Sequence, residues 1–215
     1  MRPILLDLDD TLIDDRAATA SAFAALVEAH HVWLGHRDEL ELLVEWRLVS
    51  DRHWFRHEQG ELSYLEQRRA RAREFLGRDF TDAEADEALL PYVLAYQASW
   101  RLLPGVVEFF QRSAAIPKVI VTNGQREQQL RKLAATDLLP HVVAVVTPED
   151  CGYWKPRPEV FLAAVRRIDA TPSRCIMIGD DPVRDIAPAR ELGMACFLVE
   201  RDRSNEAFEG ALSVA

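Results

Sequence analysis

Five short runs of Val, Ile and Leu constrain this chain more than any other feature. They are "PILLDL" (3–8), "PKVIVTN" (117–123), "VVAVV" (142–146), "RCIMIGD" (174–180) and "ACFLVE" (195–200). None alternates apolar with polar residues, which is the pattern of strands covered on both faces. Between the later runs lie three segments of helical character. "REQQLRKLAATDLL" (126–139) repeats Leu130, Leu133 and Ala134 at helical spacing, and "PEVFLAAVRRI" (158–168) opens on Pro158 and Glu159, good first-turn residues. "DIAPARELGM" (185–194) stops at Gly193, and its Pro188 fits only near a helix start, so that helix should be short. Strand and helix in alternation predict an α/β fold, a doubly wound parallel sheet of the Rossmann-like kind.

Residues 15–100 break this rhythm. They are rich in Ala, Leu, Glu and Arg, contain no convincing strand, and read as four helices separated by Gly35, Gly60 and Gly77. Thr81 and Glu84 have the spacing of a capping box. The parse is a core of residues 1–14 and 101–215 with an inserted α-helical cap of residues 15–100. Such a module is expected above the carboxyl ends of the strands, where open α/β sheets bind ligands. The tail "RDRSNEAFEGALSVA" is polar and is expected to pack loosely.

A formal charge of −9 disfavours a nucleic-acid polymer or an anionic membrane as partner, because both need broad basic surfaces. It leaves room for a small anion held by local positive groups. Cys151, Cys175 and Cys196 are odd in number and lack C-x-x-C spacing, so neither a disulfide framework nor a zinc knuckle is expected. Reduced thiols, no secretory signal pattern and no apolar run of membrane-spanning length predict a cytoplasmic protein. Nothing in the residues chooses between a monomer and a homodimer.

The residues with chemistry fall at the carboxyl ends of predicted strands, which share one edge in a parallel sheet. Strand one ends in Asp7 and Asp9, strand two in Thr122, Asn123 and Gly124, and strand four in "GDDPVRD", with Asp180, Asp181 and Asp185. Lys155 lies in "GYWKPRPEVF" after strand three. Alternation along a strand sets Asp7 and Asp9 on one side. With Asp180 they form a hard, oxygen-rich cluster suited to magnesium. The Thr122 hydroxyl, the amides of Asn123 and Gly124, and the Lys155 charge would complete a phosphoryl clamp. Asp10, Asp14 and Asp15 are expected as solvated loop residues. His53 and His57 have helical spacing but no third ligand, and Arg69 and Arg73 are expected on a solvated face paired with Glu66.

In these motifs the chain resembles the haloacid dehalogenase superfamily of phosphatases: "DLDDT" for D-x-D-x-T, "VIVTN", "WKPRPEVF" and "IGDDPVRD", in order and at compatible spacing. The resemblance implies a Rossmann-like core, a small helical cap after the first motif, and Mg2+ as cofactor. It implies that Asp7 attacks phosphorus to form an aspartyl-phosphate. Asp9 would protonate the leaving alcohol and then activate water. Asp7, the backbone carbonyl of Asp9 and Asp180 would bind the metal. Thr122, Asn123 and Lys155 would hold the phosphoryl group, and Asp185 would act from behind, on metal-bound water or on Lys155. Thr11 would stabilise the loop after the nucleophile. Asp9 itself argues for phosphate esters over carbon–halogen bonds, because the dehalogenase branch lacks that aspartate. The implied function is a magnesium-dependent phosphatase of small phosphorylated metabolites, such as a nucleoside monophosphate or a sugar phosphate. The alternatives are a phosphomutase of the same superfamily and a non-catalytic phosphate-ester binding or regulatory protein.

Overall fold

The computed structural model describes residues 1–215, which divide into two compact units, Met1–Asp15 with Trp100–Ala215 and Arg16–Ser99. The first unit is built on five parallel strands in the order β3-β2-β1-β4-β5: β1 (Ile4–Leu6), β2 (Lys118–Val121), β3 (Ala144–Val146), β4 (Ile176–Gly179) and β5 (Ala195–Leu198). These are the five apolar runs, trimmed at their ends. Side chains alternate between two cores. Ile4, Leu6, Ile120 and Ile178 face one, and Leu5, Val119, Val121 and Met177 face the other. The sheet is therefore covered on both sides, as continuous apolar strands require. The exception is β5, a half-buried edge strand whose Leu198 is exposed.

The second unit holds the helices α1 (Asp15–Ala29), α2 (His31–Leu34), α3 (Glu39–Glu58), α4 (Tyr64–Leu76) and α5 (Asp82–Ala98), the first of which begins one residue before the unit boundary. Its core gathers Phe23, Leu26, Leu42, Trp46, Val49, Phe75 and Leu89. Thr81 and Glu84 do form a capping box on α5. A second box, Ser63 with Glu66, starts α4. That box takes the Glu66 carboxylate, which accepts from Ser63 N at 2.7 Å. Arg69 instead grips Asp86 at 2.6 Å and Asp82 at 2.7 Å, and Arg73 also reaches Asp82 at 2.6 Å. The two arginines thus tie α4 to α5, a pairing invisible to i, i+3 and i, i+4 reading. His53 Nε2 meets Glu74 at 2.7 Å and His57 Nδ1 meets the Leu62 carbonyl at 2.8 Å, so each imidazole has a structural partner.

The remaining helices, α6 (Val106–Arg112), α7 (Arg126–Ala135), α8 (Pro148–Cys151), α9 (Pro158–Arg166), α10 (Ala187–Glu191) and α11 (Ser204–Val214), belong to the sheet unit. Helix α10 is short, with Pro188 in its first turn. The tail departs from expectation. Residues 204–214 form α11, which buries Ala207, Phe208 and Ala211 against the sheet core. Those three share one helix face, and the polar residues between them hide that stripe in the sequence. Phe208 stacks on Phe109 at 4.9 Å. Phe208→Ala should cost about 3–5 kcal/mol of stability. Urea unfolding measures this, and a loss below about 1 kcal/mol would return the tail to a loosely packed role.

Asp14 also departs from expectation. It is buried, with Arg101 Nη2 at 3.1 Å and Arg201 Nη2 at 2.6 Å from its carboxylate. The chain leaving β1 pairs with the chain returning at residue 101. Ile13 bridges Leu102 in antiparallel fashion, and Asp14 N donates to the Arg101 carbonyl at 2.9 Å. This pairing sets Arg101 beside an aspartate 87 positions earlier.

Candidate active site

Strand β1 aims its carboxyl end at a cluster of charge. Asp7 continues the ladder by donating its N–H to the Ile178 carbonyl at 3.0 Å. Lys155 Nζ lies 2.6 Å from Asp7 Oδ1 and 2.6 Å from Asp185 Oδ1. Thr11 Oγ1 lies 2.9 Å from Asp7 Oδ2 and 3.4 Å from Asp180 Oδ1. Carboxylate oxygens of Asp7, Asp180 and Asp185 all fall within 4.8 Å of one another. Asp185, expected behind Lys155, does contact its Nζ and lies in the carboxylate cluster as well. Gly179 makes room for it: a Cβ there would lie 2.4 Å from Asp185 Oδ2 and 2.6 Å from its Cβ. Asp181 has a separate task. Its Oδ1 accepts from the amides of Val183 and Arg184 at 2.8 and 2.9 Å, which starts the turn carrying Asp185.

The electrostatics follow from this crowding. Burial pushes the Asp7 carboxyl from its ordinary 3.8 up to about 6, with Lys155 opposing and Asp185 adding to the rise. Burial, with Asp7 and Asp185 as like charges, lifts Asp180 to about 7. Burial works against the Lys155 ammonium, but Asp7 and Asp185 outweigh it and raise its pKa. Three carboxylates against one ammonium leave an excess of negative charge. The donors are all hard oxygens, and burial together with the neighbouring like charges raises two of the carboxyls, the sign of a site that favours an added positive charge. A divalent cation of the magnesium kind fits that donor set, and Asp7, Asp180 and Asp185 are the side chains able to hold it.

The loop after β2 brings the polar partners. Thr122 Oγ1 accepts from Gly124 N at 3.0 Å and from Gln129 Nε2 at 2.9 Å. With both lone pairs taken, the hydroxyl proton is left for another acceptor. The Asn123 side chain clasps the backbone of Lys155, donating to its carbonyl at 3.0 Å and accepting from its amide at 2.7 Å. Asn123 therefore acts on the loop that presents the lysine.

Asp9 lies past the end of β1, so strand alternation does not set its direction. The chain turns there, with the amides of Leu12 and Ile13 donating back to the Leu8 carbonyl at 2.9 and 3.0 Å. The Asp9 carboxylate meets helix α7: Gln129 Nε2 donates to Oδ2 at 2.8 Å and Lys132 Nζ to Oδ1. Lys132 also reaches Asp15 at 2.9 Å. Burial raises the Asp9 pKa against the pull of Lys132. Gln129 and Lys132 escape a sequence reading that looks only at the apolar face of 126–139. Their one signal is two polar residues three apart, beside Leu133 on the buried side of the helix.

A family profile described as haloacid dehalogenase-like hydrolase matches residues 1–193. The chain belongs to that family. It is a hydrolase with the family's parallel α/β core. The HAD-hydrolase YfnB of Bacillus subtilis (strain 168) is 27% identical over 197 residues, covering 90% of this chain and 81% of its own. A crystal structure of YfnB bound to magnesium superposes with a TM-score of 0.77 at 23% identity, over 95% of this chain and 91% of that one. A phosphoserine phosphatase of Thermus thermophilus is 27% identical over 236 residues, 94% of this chain and 89% of its own. A ribulose-1,5-bisphosphate 5-phosphatase of Halopiger xanaduensis is 31% identical over 122 residues, 56% of this chain and 51% of its own. No helix of this haloacid dehalogenase-like hydrolase is long and apolar enough to cross a membrane.

Proposed function

We propose that this hydrolase is a magnesium-dependent phosphatase of small phosphorylated metabolites that works through an aspartyl-phosphate on Asp7. The observation that carries the reading is Lys155 Nζ set between Asp7 and Asp185, 2.6 Å from each, beside Asp180. An ammonium and a cation-binding carboxylate set next to a buried carboxylate can bring a phosphoryl dianion to a nucleophile of like charge. The relatives named as phosphatases support the same reaction class.

Each side chain then has a defined task. An oxygen of Asp7 attacks phosphorus, and the ester P–O bond breaks as the leaving oxygen takes a proton from the Asp9 carboxyl. Water next attacks the phosphorus, passing its proton to the Asp9 carboxylate, and the acyl-phosphate bond breaks to return Asp7 and release phosphate. Lys155 and the Thr122 hydroxyl hold the phosphoryl oxygens, and the main-chain amide of Asn123 adds a donor while its side chain positions Lys155. Asp7, the Asp9 carbonyl and Asp180 would hold the magnesium, with Asp185 close by and anchoring Lys155. Bound there, the cation would supply charge neutralisation and Lewis acidity. The helical unit serves as the cap that selects the leaving group.

Phosphate release tests the reading. With magnesium, the protein should hydrolyse a subset of nucleoside monophosphates, sugar phosphates, phosphoglycolate and phosphoserine, and p-nitrophenyl phosphate as a generic ester. Failure to release phosphate from all of them would sink it.

A further inference from the structure

The proposed chemistry asks Asp9 to give and take a proton at a fixed place, yet the strand does not hold its side chain. The next residue, Asp10, has a φ of +57°, so the backbone bends sharply away from β geometry at this point. What engages the carboxylate is helix α7, and it engages both oxygens. Lys132, 1% exposed, donates to Oδ1, and Gln129, also 1% exposed, donates to Oδ2 at 2.8 Å. Residues three apart on a helix share a face, so one helix presents both donors together.

Gln129 does more than hold Asp9. The same Nε2 donates to Thr122 Oγ1 at 2.9 Å, so one amide group ties the proton-transfer carboxylate to the hydroxyl assigned to the phosphoryl group. Its Oε1 is buried without a partner, so the amide's place is set by what its nitrogen reaches. Room for that amide comes from Gly124, where a Cβ would lie 1.7 Å from Gln129 Nε2. Lys132 is in turn steadied by Asp15 at 2.9 Å.

We propose that Gln129 and Lys132 are positioning residues for Asp9, a two-point seat that fixes its carboxylate relative to Thr122 so that it meets the leaving-group oxygen. Each Asp9 oxygen keeps a second lone pair for the transferred proton. This inference rests on the phosphatase reading and adds two residues to it. The seat serves proton transfer, so its loss should fall on esters whose leaving oxygen needs a proton. It should spare esters whose leaving group is stable as an anion.

The experiment compares kcat/KM, which reports the first chemical step, for an alkyl phosphate substrate and for p-nitrophenyl phosphate. Lys132→Met and Gln129→Met should each lower kcat/KM for the alkyl ester by about 10- to 100-fold, part of the usual general-acid contribution. For the aryl ester the loss should stay below about threefold. Lys132→Arg, which keeps a cation at the position, should recover most of the alkyl activity. An equal loss on both esters, or no loss on either, would overturn the seat. Should Lys132→Met fail to fold, Gln129→Met makes the same comparison alone. If the unsubstituted protein releases phosphate from none of the esters of the substrate panel, the phosphatase reading fails and the seat with it. An active parent with a flat leaving-group profile in the variants would refute the seat alone.

Discussion

Asp7→Asn should abolish turnover, with kcat reduced by at least about 1000-fold, while circular dichroism and the thermal transition stay close to those of the parent. The amide keeps the shape of the carboxylate: its one oxygen can still accept from Lys155, which lies 2.6 Å from Asp7 Oδ1, while its NH2 stands where Oδ2 accepts from Thr11 at 2.9 Å and can donate to that hydroxyl instead. It lacks the charge and the nucleophilic oxygen. Substitution also removes one of the negative charges around Asp180 and Asp185, so the cluster loses repulsion as well as one ion pair with Lys155. Steady-state phosphate release measures the effect. Activity within tenfold of the parent would show that another group attacks phosphorus.

Removing divalent metal should silence the enzyme and should also leave a mark on stability that needs no substrate. Without a cation, Asp180 and Asp7 have carboxyls raised from 3.8 to about 7 and about 6, with burial the main cause in both. A carboxyl that binds its proton more tightly folded than unfolded favours the fold while protonated. That contribution is fully present below about pH 4 and is lost as the pH rises through 6 to 7. The chelated protein should therefore lose thermal stability between pH 5 and pH 8, more steeply than its Asp180→Asn variant. Magnesium competes with those protons, so it should raise Tm clearly at pH 8 and little at pH 5. A magnesium shift that is equal at both pH values, or absent, would count against the carboxylate cluster as the metal site. Full activity after exhaustive chelation would count against metal dependence.

The strands were legible because a buried parallel strand writes itself as an unbroken apolar run, and each of the five runs contains one. Helix ends were legible where chemistry is local, as at Thr81 and Glu84, because a capping box joins residues three apart. The residues at the strand ends could be nominated for the same reason: a parallel sheet delivers all its carboxyl ends to one edge. Asp14, Asp9 and the tail show where this stops. Asp14 is neutralised by arginines 87 and 187 positions away. The Asp9 carboxylate is held by side chains 120 and 123 positions later. Residues 204–214 look polar until the sheet core offers Phe208 a place.

The order of residues alone determined the parallel α/β core, since a buried strand is written in an unbroken apolar run, and it set Asp7, Thr122, Lys155 and Asp180 at or just after the ends of those runs. Only the tertiary structure decided which atoms meet: Lys155 between Asp7 and Asp185, Asn123 on the backbone of Lys155, and Gln129 between Asp9 and Thr122. Hydrogen bonds and Coulomb attraction act over a few ångströms of space, whatever the length of chain between the partners. The charge that "ILLDLDDTLIDD" concentrates at one strand end is therefore balanced by Lys155, Lys132, Arg101 and Arg201, from four other parts of the chain.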